Sequence, residues 1–239
     1  MSPALVLLFL FLGAPLLCSS GAEPLVFKHV RDHSVADEKK QGPEPESSLL
    51  GKVVPFDTPI MVGQGSRIEV ESSIFLMRVG ASSEFQHRTD GGIALDFGSI
   101  LIQPSGPKCT LNVSTKKCRF SVSGRGTFIL ETTSNGGGKL MPLTPGCEVT
   151  IEGGAVRALV PGNLLFLLPQ NQQFGPVLNI DLSVLLSTSA LINRFPTPLS
   201  GTKALRASAF FQMYRIKSRS NALIGDARDA NNYDVVFVK

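Results

Sequence analysis

Ser114 and Lys117 stand in a Ser-Thr-Lys-Lys tetrad, the S-x-x-K spacing with which serine acyl-enzymes bring a lysine to a nucleophilic hydroxyl. That chemistry needs one helical turn between the two side chains and a base aimed at the serine proton. The tetrad falls between two short alternating segments, so a solvated hairpin loop is expected, and no S-D-N or K-T-G follows it. His29 and His33 are spaced i,i+4, which on a helix would put two imidazoles on one face. They lie beside Arg31 and Asp32 in a polar stretch with no third ligand nearby, which predicts a tail and not a metal site. His87 is the remaining histidine and reads as structural. Gly136-Gly-Gly-Lys139 lacks the Gly-x4-Gly-Lys-Ser/Thr spacing of a phosphate loop, and Leu140 follows the lysine, so a hairpin tip is expected. The sequence contains no G-x-S-x-G, H-E-x-x-H or G-x-G-x-x-G. These residues predict no catalytic, cofactor-binding or metal-ligating site, no cofactor and no enzyme activity.

The elements that would position any site begin after an export signal. Residues 4–17 are apolar but shorter than the roughly 20 residues a bilayer span requires. Ser20-Gly21-Ala22 then places small side chains before Glu23, the layout of a cleaved secretory signal peptide over 1–22. Leu17, bulky where a lipobox takes a small residue, argues against a lipid anchor at Cys18. A periplasmic or secreted location follows as the expectation. Cys109, Cys118 and Cys147 remain, with no zinc-type spacing. If Cys109–Val113 and Cys118–Val122 form a hairpin, matched apolar faces pair Val113 with Cys118, Leu111 with Phe120 and Cys109 with Val122. Setting the two cysteines opposite one another would put Leu111 against Lys116, so the register favours separate buried thiols over a bridge.

Residues 23–50 mix charge, Pro43, Pro45 and two serines with few large apolar residues, and read as a flexible arm. From 51 to 170, turn signals punctuate short alternating strands. Asp90-Gly91-Gly92, Asn135-Gly136 and Gly153-Gly154 suit tight hairpins, whose backbone needs the positive φ that glycine supplies. Strands are predicted near 73–79, 93–97, 100–103, 127–133, 139–143, 147–152 and 155–160. Such spacing predicts a mainly β fold, a short β-solenoid or β-sandwich. Residues 171–239 form a helical and irregular C-terminal extension. Asp181 is placed to cap a helix over 182–193, and Thr202 a second over 203–219 with Leu205, Ala209, Phe210, Met213 and Ile216 as its apolar stripe. A strand over 233–238 ends the chain.

Five pieces in order, Phe97-Gly98-Ser99-Ile100-Leu101-Ile102, Cys118-Arg-Phe-Ser-Val122, Gly126-Thr127-Phe128-Ile129-Leu130, Val149-Thr-Ile151-Glu-Gly-Gly154 and Leu159-Val-Pro-Gly162-Asn-Leu-Leu-Phe166, resemble the FecR-like domain, a β-rich module of bacterial envelope proteins. The Gly-Thr pair usually stands two positions before the Phe, whereas Phe128 follows Thr127 directly. The resemblance implies stacked short strands and a role in protein–protein contact, with no catalytic residues. Full-length regulators of the family add a sigma-factor-holding segment and a transmembrane helix, and only the exported module carries over.

The chain's net charge is +4, with Lys and Arg scattered through the globule, which predicts no nucleic-acid partner. Lys203, Arg206, Arg215, Lys217 and Arg219 make 203–219 a basic segment capable of weak membrane-surface contact. The function expected is a non-catalytic interaction or scaffold module, touching other envelope proteins or cell-wall polymer. A glycan-binding β domain is the alternative, disfavoured by the absence of Trp. A cupin-like jelly roll is a third, which needs a His/Glu metal cluster that one core histidine cannot supply.

Overall fold

The computed structural model describes residues 22–31, 35–36, 49–106, 109–170, 172–216 and 222–237. The signal stretch up to Gly21, His33, most of the arm and the expected helix end at 217–219 lie outside the described residues. The described chain is mainly β, in antiparallel sheets, with its helices short and near the C-terminus.

One sheet carries, in order across it, β1 (Val26–Arg31), β4 (Arg67–Glu71), β5 (Phe75–Val79), β8 (Ser99–Pro104), β11 (Phe128–Thr132), β12 (Gly138–Pro142), β15 (Asn163–Leu168) and β16 (Gln173–Asn179). The other carries β2 (Val35–Ala36), β3 (Ile60–Val62), β6 (Ser83–His87), β7 (Ile93–Phe97), β9 (Cys109–Ser114), β10 (Arg119–Gly124), β13 (Cys147–Ile151) and β14 (Val156–Leu159). In both sheets the spatial order is the chain order. The chain lays one or two strands in one layer, crosses, and lays the next in the other, so both layers advance together. The result is a sandwich built by solenoid-like progression, and neither sheet closes into a barrel. Only β8 separates β7 from β9, and this single crossing strand leaves those two parallel, with Ile93 beside Val113.

Alternation explains the second sheet. Leu111, Val113, Phe120, Val122, Val149 and Ile151 point into the core between the layers, while Thr110, Asn112, Ser121 and Thr150 face outward. The first sheet is buried on both faces in its central strands β8, β12 and β15. Its inner residues join that core, and Leu101, Ile129, Met141, Leu164, Phe166 and Leu168 pack outward under a third layer. That layer consists of α1 (Leu182–Thr188), α2 (Ala190–Asn193), α3 (Thr202–Met213) and a hairpin of β17 (Ala222–Ala227) and β18 (Tyr233–Phe237). Each large apolar side chain so covered contributes about 1.5–3 kcal/mol.

Four expectations change. Part of the predicted arm is strand β1, held against β4, because Leu25, Phe27 and Val30 are fully or almost fully buried in the core. His29 lies in that strand and not in a tail, with its ring edge toward Phe195. Asp181 does cap α1, accepting from the Ser183 and Val184 amides, but the helix breaks at Ser189, where ψ of 122° is extended. In β9–β10 the apolar faces match as expected, yet the register is two residues further on: Val113 pairs with Phe120 and Cys109 with Gly124. Cys118 belongs to the loop, where its amide donates to Thr115 Oγ1 at 3.1 Å. Cys109, Cys118 and Cys147 are separate, buried free thiols. Burial pushes the Cys147 thiol up to about 12.

The fourth change concerns α3. Gly201, at φ 74°, precedes the helix and Thr202 lies inside it. Leu205 and Ala209 of the expected stripe face inward together with Ser208 and Gln212, whereas Phe210 and Met213 are exposed.

Candidate functional site

The outward face of the second sheet carries a cleft of about 350 Å³. Its floor is a polar rung made by register. Ser121 on β10 stands opposite Asn112 on β9 and opposite Thr150 on β13, so one amide and two hydroxyls line up across three strands. Ser114 and Arg119 form the next pair along β9 and β10. Two turns build the rim. The turn after β6 closes through Arg88 N–H to Gly92 O at 2.9 Å and Gly92 N–H to Asp90 Oδ1 at 2.9 Å, setting Arg88 and Asp90 on one side. The turn after β13 sets Glu152 on the other, its amide donating to Arg119 O at 3.1 Å.

The rim charges are loosely paired. Arg88 approaches Asp90 at 3.8 Å and Arg119 approaches Glu152 at 3.9 Å, and all four side chains are about half exposed or more. Exposed pairs of this kind contribute about 0–1 kcal/mol, so both guanidinium groups and both carboxylates are available to a ligand. Donors and acceptors of both signs over a floor of hydroxyls suit recognition of a polar surface. Neither histidine nor cysteine is among the lining residues.

The predicted motifs resolve singly. Ser114 lines the cleft, but residues 115–118 form a loop and not a helical turn, so Lys117 is not placed as an S-x-x-K lysine. Lys117 donates its amide to Gly136 O at 3.1 Å. Lys139 is no hairpin-tip residue. It lies buried in β12, 3.2 Å from Glu131 Oε1 and donating to Ile224 O at 2.8 Å, which fastens the C-terminal hairpin to the first sheet. Among the described residues no group of three or more His, Cys, Asp or Glu is placed to hold a metal ion. Arg88, Arg119, Asn112, Ser121, Thr150 and Glu152 were not foreseen as a group, since their assembly depends on strand order and on two turns distant in sequence.

His87 lies behind this face, 1% exposed, with Nδ1 unpartnered and its ring 4.5 Å from that of Phe56. Burial pushes its pKa below the ordinary 6.5, with Asp57 and Asp90 opposing in part. The folded chain therefore holds His87 neutral, while an unfolded chain takes up a proton below about pH 6.5. The stability contributed by this depressed pKa is complete above pH 6.5 and is lost as pH falls through the folded value. Urea midpoints should drop from pH 7 to pH 5.5, and the drop should shrink in a His87→Phe chain; equal drops in both would exclude His87 as the source.

No protein-family model matches the sequence, and no curated protein matches it either. Two crystal structures described as a "putative anti-sigma factor" from Parabacteroides distasonis are similar to this chain. One is 16% identical with a TM-score of 0.41, over 76% of this chain and 85% of that chain. The other is 15% identical with a TM-score of 0.41, over 76% of this chain and 98% of that chain.

Proposed function

We propose that the chain is an exported, non-catalytic interaction module of FecR-like type, which engages another envelope or extracellular macromolecule through the cleft of its second sheet. The observation that carries this reading is the cleft itself: a register-built polar floor ringed by four weakly paired charges. Such a surface is inexpensive to desolvate against a partner that supplies the missing countercharges, and costly against one that does not, which is a source of specificity. The pieces that resemble the FecR-like domain support the same reading, since they fall on β7–β8, β10, β11, the β13 turn and β14–β15. A protein surface is favoured over a sugar because the only aromatic ring lining the cleft, Phe120, is 5% exposed and points into the core.

The test is photo-crosslinking in the native envelope from a benzophenone residue at Thr150. A discrete protein adduct is expected. Charge reversal by Arg88→Glu and Arg119→Glu should cut its yield roughly tenfold, the effect of losing about 1.4 kcal/mol of recognition. Absence of any adduct, or a yield indifferent to both reversals, would remove the cleft as the binding surface, and an adduct with cell-wall polymer would replace the protein partner by a glycan.

A further inference from the structure

Helix α3 turns more apolar surface outward than a helix that merely covers a sheet. Toward the protein it turns Leu205 and the half-buried Ala209 together with two polar residues, Ser208 and Gln212. Gln212 acts as a bracket, donating to Gly162 O at 3.0 Å and to Ile180 O and accepting the Leu182 amide at 2.8 Å. Outward it turns Phe210 (53% exposed), Phe211 (67%), Met213 (48%) and Tyr214 (73%). Phe210 meets both Phe211 and Tyr214 edge to face, at 6.0 and 5.2 Å, so the rings form one cluster. At about 100° per residue, Lys203 and Arg206 lie on the same outward stripe, one to two turns before Phe210. Both are exposed.

The charge around this face is one-sided. Residues 182–225 contain six basic residues (Arg194, Lys203, Arg206, Arg215, Lys217 and Arg219) and no Asp or Glu. Since the whole chain is +4, everything outside the segment is net −2. A second copy seated face to face would bring two α3 faces together, each with Lys203 and Arg206 and with no acidic residue in the helix. An aromatic cluster beside cations is complementary instead to the interfacial zone of an anionic bilayer, where rings sit at headgroup depth and each basic side chain adds to the attraction. At 12 residues the helix is too short to span, so it lies in the surface plane.

We propose that the outward face of α3 docks the chain on an anionic membrane surface, with Phe210, Phe211, Met213 and Tyr214 inserted and Lys203 and Arg206 against lipid phosphates. The cleft lies on the opposite outer layer of the sandwich, so docking would leave it open to a partner. This proposal stands independently of the cleft's role.

Because the chain contains no Trp, Tyr214→Trp is a site-specific reporter in the full-length protein. Its emission should shift to the blue and be quenched by vesicles of brominated phosphatidylcholine and phosphatidylglycerol. The emission of a Val156→Trp chain, altered on the outward face of the second sheet, should not. Adding Lys203→Ser and Arg206→Ser should weaken vesicle partition roughly 25-fold, about fivefold per charge. Both residues are exposed, and an unchanged far-UV spectrum would confirm that the fold is intact. Three results would overturn the proposal: no quenching, equal quenching by purely zwitterionic vesicles, or a blue shift that grows with protein concentration without lipid, which would assign the face to a second copy.

Discussion

Replacing Arg78 with methionine should lower the stability of the chain by about 3–5 kcal/mol, the usual cost of removing one partner of a buried ion pair. Arg78 is fully buried on β5, and it fastens the third layer to the first sheet. Its Nε donates to Glu69 Oε2 at 2.7 Å, from the residue directly opposite on β4. Nη1 donates to Leu191 O and Ile192 O, both at 3.1 Å, and Nη2 to Thr197 O. The ring of Phe195 stacks beneath the guanidinium carbon at 4.5 Å. Burial pushes the arginine pKa below its ordinary value and Glu69 works against that shift. Without the guanidinium, the Glu69 carboxylate, 4% exposed, loses its countercharge, and three carbonyls lose their donor. Since domains hold about 5–15 kcal/mol in total, the loss is a large share of the margin. Urea unfolding measures it, and hydrogen exchange should show 190–216 opening first. An Arg78→Met, Glu69→Met chain should recover part of the loss, because it removes the stranded charge as well; a double variant worse than the sum of the singles would contradict this account.

Arg78 also shows where the sequence stops being readable. In Phe75-Leu-Met-Arg-Val79 the alternation puts Leu76 and Arg78 on the face opposite the core, which for an isolated sandwich is the solvent face. Only the fold shows that residues more than a hundred positions later cover it. The layers themselves were legible. Strict alternation in Cys147-Glu-Val-Thr-Ile151 belongs to a strand with one wet face, and the strand lies in the second sheet. The unbroken run Leu164-Leu-Phe-Leu-Leu168 lies in β15, a strand buried on both faces, which the alternation rule passes over. What resists local reading is any preference overridden from a distance. Spacing in α3 places Leu205 and Ala209 inward correctly but not Phe210 and Met213, because Gln212 finds backbone partners at Gly162 and Ile180 and takes the inward position in the last turns of the helix. In the β9–β10 hairpin the faces follow from alternation. The register follows from Thr115, which ties its loop through Oγ1 to Gly136 O at 2.7 Å. The cleft combines both limits: alternation marks Asn112, Ser121 and Thr150 as outward, and register alone brings them into a row.

The second large effect is expected at glycines where the chain changes sheets. Gly98 joins β7 of the second sheet to β8 of the first, and Gly124 ends β10 before the crossing to β11. Both hold positive φ, 95° and 114°. A Cβ on Gly98 would lie 2.5 Å from Ser83 Cα, and one on Gly124 would lie 1.8 Å from Gly146 O. Neither neighbour can step aside, since Ser83 is paired with Val62 in β3–β6 and Gly146 O already accepts the Arg125 and Gly126 amides at 3.0 and 3.3 Å. Backbone strain of about 1–3 kcal/mol and overpacking of about 1–3 kcal/mol therefore act together. Gly98→Ala and Gly124→Ala should each cost roughly 3–5 kcal/mol. Gly153 separates the two contributions, because it also has positive φ, at 106°, but nothing within 4 Å of its Cβ position. Gly153→Ala should cost only the strain, about 1–2 kcal/mol. If denaturant midpoints place all three variants together, conformational freedom alone explains the glycines. If Gly98 and Gly124 fall well below Gly153, the close approach of the neighbouring strand of the second sheet, β6 at Gly98 and the start of β13 at Gly124, is what forbids a side chain where the chain leaves that sheet.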